Sequence, residues 1–245
     1  MNLVQRVMGS LWVIVACTAV PRPASASEIR LRWNACAADT GRSVITPACD
    51  TNRGFHELVA SFELDADLVG VTGIEAVLDV ETSLYNNGPN LPDWWKFNSG
   101  GGAVGCRGNA LSANPVISQD AVLCSDWAGG GAVTIPPLYQ ANFFGPNRAR
   151  ITLGVALGSG GRDLSAGQEY FAFNLRIANT RTLGADACAG CNQFVFVTLE
   201  SLNLLQGPTN PSTFFSGGLN RVVSWAPQVT PTRVSTWAQV KGLYR

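Results

Sequence analysis

The sequence has few charged side chains and a single histidine, and both shortages exclude functions. Charged residues make up 14% of the 245 residues, Lys+Arg and Asp+Glu number 17 each, and the formal net charge is zero. No cluster of Lys or Arg supplies the basic surface that nucleic-acid binding requires. The single histidine, His56, argues against a multi-histidine metal site and His-dependent catalysis. We therefore predict no catalytic residues, no metal, no cofactor and no nucleic-acid partner.

The amino-terminal residues predict export. Residues 1–6 carry one positive charge, residues 7–20 are mostly apolar, and residues 21–26 contain two prolines and end in Ala-Ser-Ala. This pattern is typical of a secretory signal peptide, here residues 1–26 with cleavage after Ala26. The apolar run is too short for a good membrane span. An alternative is lipidation at Cys17, because the residues before it loosely resemble a lipoprotein cleavage box. The mature protein is expected to be secreted, outside the cell or at its surface.

Six cysteines remain in the mature chain, and an even number in an exported protein indicates disulfides. Six cysteines allow 15 pairings. Nearness in sequence favours three short loops, closed by Cys36–Cys49, Cys106–Cys124 and Cys188–Cys191. The last pair also has the spacing of a redox dithiol, but it precedes a strand-like segment rather than a helix, so a structural disulfide is favoured.

Alternation of apolar and polar residues predicts the fold. It is clearest in residues 28–34, 74–82, 148–158 and 168–179, and it is typical of strands with one covered face. In the last segment the alternation predicts one core-facing set: Phe171, Phe173, Leu175 and Ile177. Residues 193–205 begin apolar on both sides, which favours a strand covered on both faces. About nine or ten strands without helices between them predict an all-β antiparallel sandwich or jelly roll over residues 27–226.

The carboxyl-terminal residues form a separate unit in this interpretation. Residues 227–234 contain two prolines and resemble a linker. Residues 235–245 predict a short amphipathic helix with Ser235 as its N-cap. Its apolar residues are candidates for docking to a partner, and the alternative is that they cover a sheet edge. These residues are Trp237, Val240, Leu243 and Tyr244.

The order of the segments at residues 71–82, 149–158, 168–179 and 194–204 resembles the strands of cohesin-like and carbohydrate-binding-module-like sandwiches of secreted bacterial proteins. Residues 187–191 and 236–245 also resemble segments of secreted bacterial proteins with no known activity. The resemblance implies a β-sandwich that binds a glycan or another protein. It implies no role in a cellulosome, because the chain has no calcium-binding repeat of the dockerin kind.

Tryptophans in the Gly- and Pro-rich region at residues 85–145 are the best indication of a binding site. Trp94, Trp95 and Trp127 could stack on sugar rings, with Asp93 and Asn98 as hydrogen-bonding neighbours. The alternative is that these rings pack beneath long loops as part of the core. His56 is predicted to face solvent from a strand.

We therefore predict a secreted, non-catalytic binding or assembly domain whose partner is a glycan or an extracellular protein. One alternative is a carbohydrate-active hydrolase with a jelly-roll fold, in which Asp79 with Glu81, or Asp93 with Asp126, would face each other roughly 5–10 Å apart. Another alternative is a structural subunit that self-associates through a strand edge or the terminal helix.

Overall fold

The structure, a computed structural model, describes residues 26–82, 89–97, 105–118, 120–207 and 212–226. Except for Ala26, the predicted signal peptide lies outside the described residues, as do the predicted linker and terminal helix with all four of its docking residues. Asn98 of the predicted ligand site also lies outside them. No helix in these ranges has the length and apolar character needed to cross a membrane.

Strands make up almost all of the regular structure in the described residues, together with one 3-10 helix at Asp93–Trp95. The strands are β1 (Ala26–Trp33), β2 (Val44–Ile45), β3 (Phe55–Leu64), β4 (Leu68–Thr82), β5 (Leu111–Asn114), β6 (Ser125–Asp126), β7 (Ala132–Ala141), β8 (Arg148–Leu157), β9 (Arg162–Leu164), β10 (Glu169–Ala178), β11 (Val195–Gln206), β12 (Thr213–Ser216) and β13 (Val222–Trp225).

These strands form two sheets. Sheet A has the order β1-β3-β10-β5, with β6 also paired to β10. Sheet B has the order β2-β13-β11-β4-β8-β7, with β12 on β11 and β9 on β4. Pairing is antiparallel except for two short parallel pairs, β6 with β10 and β2 with β13. The predicted all-β class and antiparallel sandwich are confirmed.

One apolar core lies between the sheets, as the alternation of the strands requires. The inward residues of β4 (Ile74, Ala76, Leu78 and Val80) share this core with Ile29, Leu31 and Trp33 of β1. Trp33 also joins the sheets directly, because its indole Nε1 donates a hydrogen bond to the carbonyl oxygen of Ser224 at 3.1 Å.

A β-bulge in β10 changes the predicted face of one residue. The register with β3 shifts between Phe171, which is opposite Ser61, and Phe173, which is opposite Ala60. One extra residue, Ala172, reverses the alternation at this point. Phe173 faces the main core, whereas Phe171 packs in a separate small cluster with Cys36, Val59 and Cys124. The prediction that Phe171 shares the core face is therefore wrong.

The predicted two-sided coverage of β11 is also wrong. Val195 and Val197 are fully buried, but Phe196 is 36% exposed on the outer face of sheet B. Its ring lies edge-on to that of Phe194, with 4.7 Å between ring centres. The apolar residues on the outer side of this strand therefore pack on each other rather than beneath another layer.

All six predicted cysteines form disulfides, but each predicted pairing is wrong. The bonds join Cys36 to Cys124, Cys49 to Cys191 and Cys106 to Cys188, across 88, 142 and 82 residues. Cys188 and Cys191 bond different partners, so they form neither a local loop nor a redox pair. Three disulfides of this kind are typical of a protein that folds in an oxidising compartment.

Candidate ligand-binding site

The predicted aromatic platform lies inside the protein. Trp94, Trp95 and Trp127 are 0%, 1% and 3% exposed. The ring of Trp225 lies against Trp94 and Trp95, with centres 4.8 and 5.2 Å away. A buried indole presents no face to a sugar, so the platform prediction is corrected to the alternative reading, in which these rings pack under the loops.

Arg107 explains why this aromatic cluster is ordered. Its side chain is fully buried, and the guanidinium carbon lies 3.4 Å from the centre of the Trp94 ring. The guanidinium donates hydrogen bonds to the carbonyl oxygens of Trp94, Thr180 and Ala178. Burial lowers the pKa of Arg107 to about 9, which leaves it charged at neutral pH. Arg107 therefore links its own backbone segment to that of Trp94 and to that of Ala178 and Thr180, around the tryptophans.

The two acids predicted near this site do not face each other. Asp93 is exposed and pairs with Lys96 at 2.7 Å. Asp126 accepts hydrogen bonds from the N–H groups of Ala128 and Gly130, which fixes a turn. Asp126 is paired with one end of β10, whereas Trp94, next to Asp93, lies beyond the other end, roughly 20 Å away at strand spacing. This separation is too large for the paired carboxylates of a glycosidase.

The second acid pair is also unsuited to hydrolysis. Asp79 is 2% exposed, and both of its carboxylate oxygens accept hydrogen bonds from Arg148 or Arg150. Burial alone would raise the pKa of Asp79, but these hydrogen bonds outweigh it and lower the pKa. A carboxylate held ionised by two arginines cannot serve as the general acid, and one that is buried with both oxygens engaged cannot reach a sugar as the nucleophile.

His56 does not face solvent as predicted. It lies opposite Ile177 in the register, on the core side of β3, and its ring meets Trp225 edge-on with 4.7 Å between centres. Burial lowers the pKa of His56, and the charge of Arg107 lowers it further. The side chain is half-buried packing for the aromatic cluster.

A cavity of about 210 Å³ lies instead on the outer face of sheet A. We call it the outer pocket. Glu57 and Val59 of β3 and Phe171 and Asn174 of β10 form its floor. Because of the bulge at Ala172, both Phe171 and Asn174 face outward. Asn174 lies directly opposite Val59 in the register.

Two loops form the walls of the outer pocket. Residues 34–41 follow β1, and residues 115–118 and 120–124 lie between β5 and β6, which both pair with the same side of β10. The Cys36–Cys124 disulfide joins the two loops. The carboxylate of Asp39 reinforces it by accepting hydrogen bonds from the N–H groups of Val122, Leu123 and Cys124 at 2.9 to 3.0 Å.

The first wall is also fixed to the sheet. Glu169 of β10 is 6% exposed and accepts hydrogen bonds from the N–H groups of Ala37 and Ala38. Gly41 lets this loop return closely, because a Cβ there would lie 2.2 Å from the carbonyl oxygen of Ala35. The wall is therefore held by a buried carboxylate at one point and by a tight backbone approach at another.

Asn174 is the unusual residue of the outer pocket. It is 4% exposed, and its side-chain Oδ1 atom is buried without a hydrogen-bond partner. A buried acceptor without a partner destabilises a fold by about 1–3 kcal/mol. Asn174 lines the cavity, so a turn of its amide about χ2 would present this acceptor to a bound molecule.

Among the described residues, the charged side chains that line the outer pocket are all acidic: Asp39, Glu57 and Asp120. Glu57 pairs with Arg176 at 2.9 Å, and the Arg176 guanidinium extends over the ring of Phe55. The sulfur atoms of Cys36 and Cys124 lie within 4.8 Å of an Asp39 oxygen, but they are bonded to each other and offer no thiolate to a metal. The pocket is thus acceptor-rich and negatively charged.

Sequence reasoning missed the outer pocket because its lining comes from four distant segments. One signal was present: Asn174 is a polar residue inside the otherwise apolar run 170–175 of a central strand. A polar side chain in such a place requires a hydrogen-bond partner or a function.

Comparison of the chain with protein-family models, with curated proteins and with solved structures finds no match. The resemblance to cohesin-like and carbohydrate-binding-module-like sandwiches stays a prediction. Fold alone does not determine function, so a functional conclusion has to come from the chemistry of the site.

Proposed function

We propose that this chain is a non-catalytic binding domain that is secreted, works outside the cell and recognises its ligand through the outer pocket. The observation that carries the proposal is the unpartnered Oδ1 of Asn174 beside a cavity whose walls are fixed by a disulfide and by Asp39. A pre-formed pocket with a few convergent polar groups is the usual form of a small-molecule or side-chain site. The disulfides support a location outside the cytoplasm.

The same geometry weakens the predicted alternatives. A glycan ligand was expected from stacking on exposed tryptophans, and those rings are buried. A sugar would have to bind in the outer pocket through hydrogen bonds. A hydrolase would need two accessible carboxylates across a cleft. Asp93 and Asp126 lie at opposite ends of β10, and Asp79 is buried against two arginines.

Self-association is the second candidate function, and one surface favours it. Val133, Ile135 and Leu138 of β7 are each more than half exposed, beside a shallow groove on the outer face of sheet B. Apolar side chains grouped in this way often mark an interface. Pro136 and Pro137 lie within the same strand, and prolines lack the N–H groups needed for strand pairing at a sheet edge. Assembly would therefore use the face of β7 rather than its edge.

The test is calorimetry of the purified, oxidised protein with a panel of neutral sugars, amines, carboxylates and amides. A pocket-filling variant, Ala121→Leu, is measured beside the wild type, and near-UV circular dichroism checks its fold. We expect at least one class to bind the wild type and to lose affinity in the variant. Binding of no class, or binding that the variant leaves unchanged, would overturn the proposed use of the outer pocket. Sedimentation velocity of wild type and Ile135→Glu tests self-association separately.

A further inference from the structure

The lining of the outer pocket is selective enough to indicate the class of its ligand. Resting on the proposed function above, we infer that the outer pocket binds a primary alkylammonium group, such as the side chain of a lysine or a free amine.

The charge of the lining side chains favours a cation as the ligand. Asp39, Glu57 and Asp120 line the cavity, and no Lys, Arg or His side chain does so in the described residues. Two described arginines flank the floor of the cavity, and both are engaged. Arg176 pairs with Glu57 and lies over the ring of Phe55. Arg32, opposite Val59, donates hydrogen bonds to Asn220. The cavity therefore favours a cation and disfavours carboxylates and phosphates.

The hydrogen-bonding groups of the lining favour a ligand that donates hydrogen bonds. The three carboxylates of the lining only accept hydrogen bonds, and Oδ1 of Asn174 adds a buried acceptor without a partner. The amides of Asn34 and Asn174 and the hydroxyl of Ser118 can also donate, so acceptors predominate without being alone. An ammonium group supplies three N–H donors and needs no acceptor, whereas a sugar hydroxyl offers one donor and also needs partners for its lone pairs.

The size and shape of the cavity favour a single functional group on an apolar chain. The cavity of about 210 Å³ is smaller than the roughly 300–1,000 Å³ of sites for drug-sized molecules, so it fits one functional group. The apolar side of the cavity is formed by Cys36, Val59, Ile117 and Phe171. A chain of methylene groups would pack there while the charged end reaches the acceptors, as lysine side chains commonly do.

A metal ion fits this lining less well. Binding of calcium or magnesium needs several oxygen atoms around one point. Within the part of the chain that the structure describes, the carboxylates of Asp39, Glu57 and Asp120 do not come within 4.8 Å of one another as a group. This spacing does not provide the compact oxygen shell of a calcium or magnesium site.

The test is isothermal titration calorimetry of the oxidised protein at low salt with Nα-acetyl-lysine methylamide. The matched control ligand is Nα-acetyl-norleucine methylamide, which has the same carbon stem without the ammonium group. We expect the lysine compound to bind more tightly and its affinity to fall as salt is added. A third titration with butylammonium distinguishes the two sources of the ammonium group. Binding equal to that of the lysine compound indicates a free amine as the ligand, whereas binding of the lysine compound alone indicates a lysine on a partner protein.

Two variants locate the site. Asn174→Leu should weaken lysine binding at least tenfold while the protein stays folded, and Asp120→Asn should weaken it about two- to fivefold. Glu75→Gln, an exposed acid on sheet B, is the charge-matched control and should change nothing. Equal affinity for the norleucine compound, or affinity unchanged in Asn174→Leu, would overturn the inference. If a neutral ligand from the panel binds at the outer pocket instead, the inference fails and the proposed function stands; if no class binds there, both fail.

Discussion

Asp39 and Cys124 are joined by a hydrogen bond of 3.0 Å, from the backbone N–H of Cys124 to the carboxylate, beside the disulfide between Cys124 and Cys36. The two loops that enclose the outer pocket are therefore linked both covalently and by a charge-assisted hydrogen bond, although 85 residues separate Asp39 from Cys124 along the chain. Linked walls keep the cavity open before a ligand arrives, which reduces the ordering that binding requires.

Removing the Cys36–Cys124 disulfide should damage the outer pocket more than the core. The cluster around this bond is separate from the main core, whereas the half-cystines of the other two bonds contact the main core. We expect Cys36→Ser/Cys124→Ser to lose ligand binding and about 2–4 kcal/mol of unfolding free energy, with little change in near-UV circular dichroism. The matched variant Cys106→Ser/Cys188→Ser should alter the near-UV spectrum, because Cys106 adjoins Arg107 beneath the tryptophans. If Cys36→Ser/Cys124→Ser altered the near-UV spectrum while Cys106→Ser/Cys188→Ser left it unchanged, the Cys36–Cys124 bond would not act mainly on the outer pocket.

The carboxylate of Asp39 should make the loop closure sensitive to acid. Burial would raise the pKa of Asp39, but hydrogen bonds from the N–H groups of Leu123, Val122 and Cys124 outweigh it and lower the pKa below its ordinary value. The folded protein therefore binds fewer protons, so this contribution is present above the unfolded pKa of about 3.9 and is lost as the pH falls through the folded pKa.

This sign is checked by urea unfolding of the wild type and of Asp39→Ser between pH 6 and pH 3. The difference in unfolding free energy between the two proteins should shrink as the pH falls. The pKa of Asp79 is also lowered, so both proteins lose stability in acid and the difference isolates Asp39. A difference that is constant or grows toward low pH would show that the Asp39 carboxylate does not secure the loop.

Arg107 should be needed for the aromatic cluster rather than for binding. Arg107→Met keeps apolar volume but leaves three carbonyl oxygens without their donor. We expect a loss of about 2–4 kcal/mol in urea unfolding and a weaker near-UV signal from the tryptophans. Arg107→Lys keeps the charge without the planar guanidinium, so its unfolding free energy should lie between those of the wild type and Arg107→Met. Equal stability of wild type and Arg107→Met would contradict this role.

Asn174 should show the opposite relation between stability and function. Asn174→Leu is similar in size and removes the buried acceptor that has no partner, so we expect the unfolding free energy to rise by about 1 kcal/mol. Ligand binding should be lost in the same protein. Asn114→Leu, at the facing position on β5, is the matched control and should give no such gain. A destabilised Asn174→Leu variant would indicate that the amide is part of the structure rather than of a site.

The strands were predictable from sequence because their signal is local. Alternating apolar residues placed Ile29, Leu31 and Trp33 in the core, and the same pattern identified the inward face of β4. A bulge is a local irregularity that the alternation does not reveal, so Phe171 was assigned to the wrong face.

The long-range features could not be obtained in the same way. Disulfide pairing depends on which loops meet in space, and Cys49 meets Cys191 across 142 residues. Whether Trp94 is exposed depends on what covers it, here Arg107 and Trp225. The outer pocket combines both difficulties, since it needs the bulge and the correct pairing of Cys36 with Cys124.

The most direct measurement of ligand binding at the outer pocket is a two-dimensional ¹H–¹⁵N NMR titration of the oxidised protein with Nα-acetyl-lysine methylamide. We expect saturable shifts of the Asn174 side-chain amide and of the backbone amides of Val122, Leu123 and Cys124, which hydrogen-bond to Asp39. The amides of Glu75 and Val77 on sheet B should not move. Shifts confined to sheet B, or no saturable shift at Asn174, would contradict the binding of an alkylammonium group at the outer pocket.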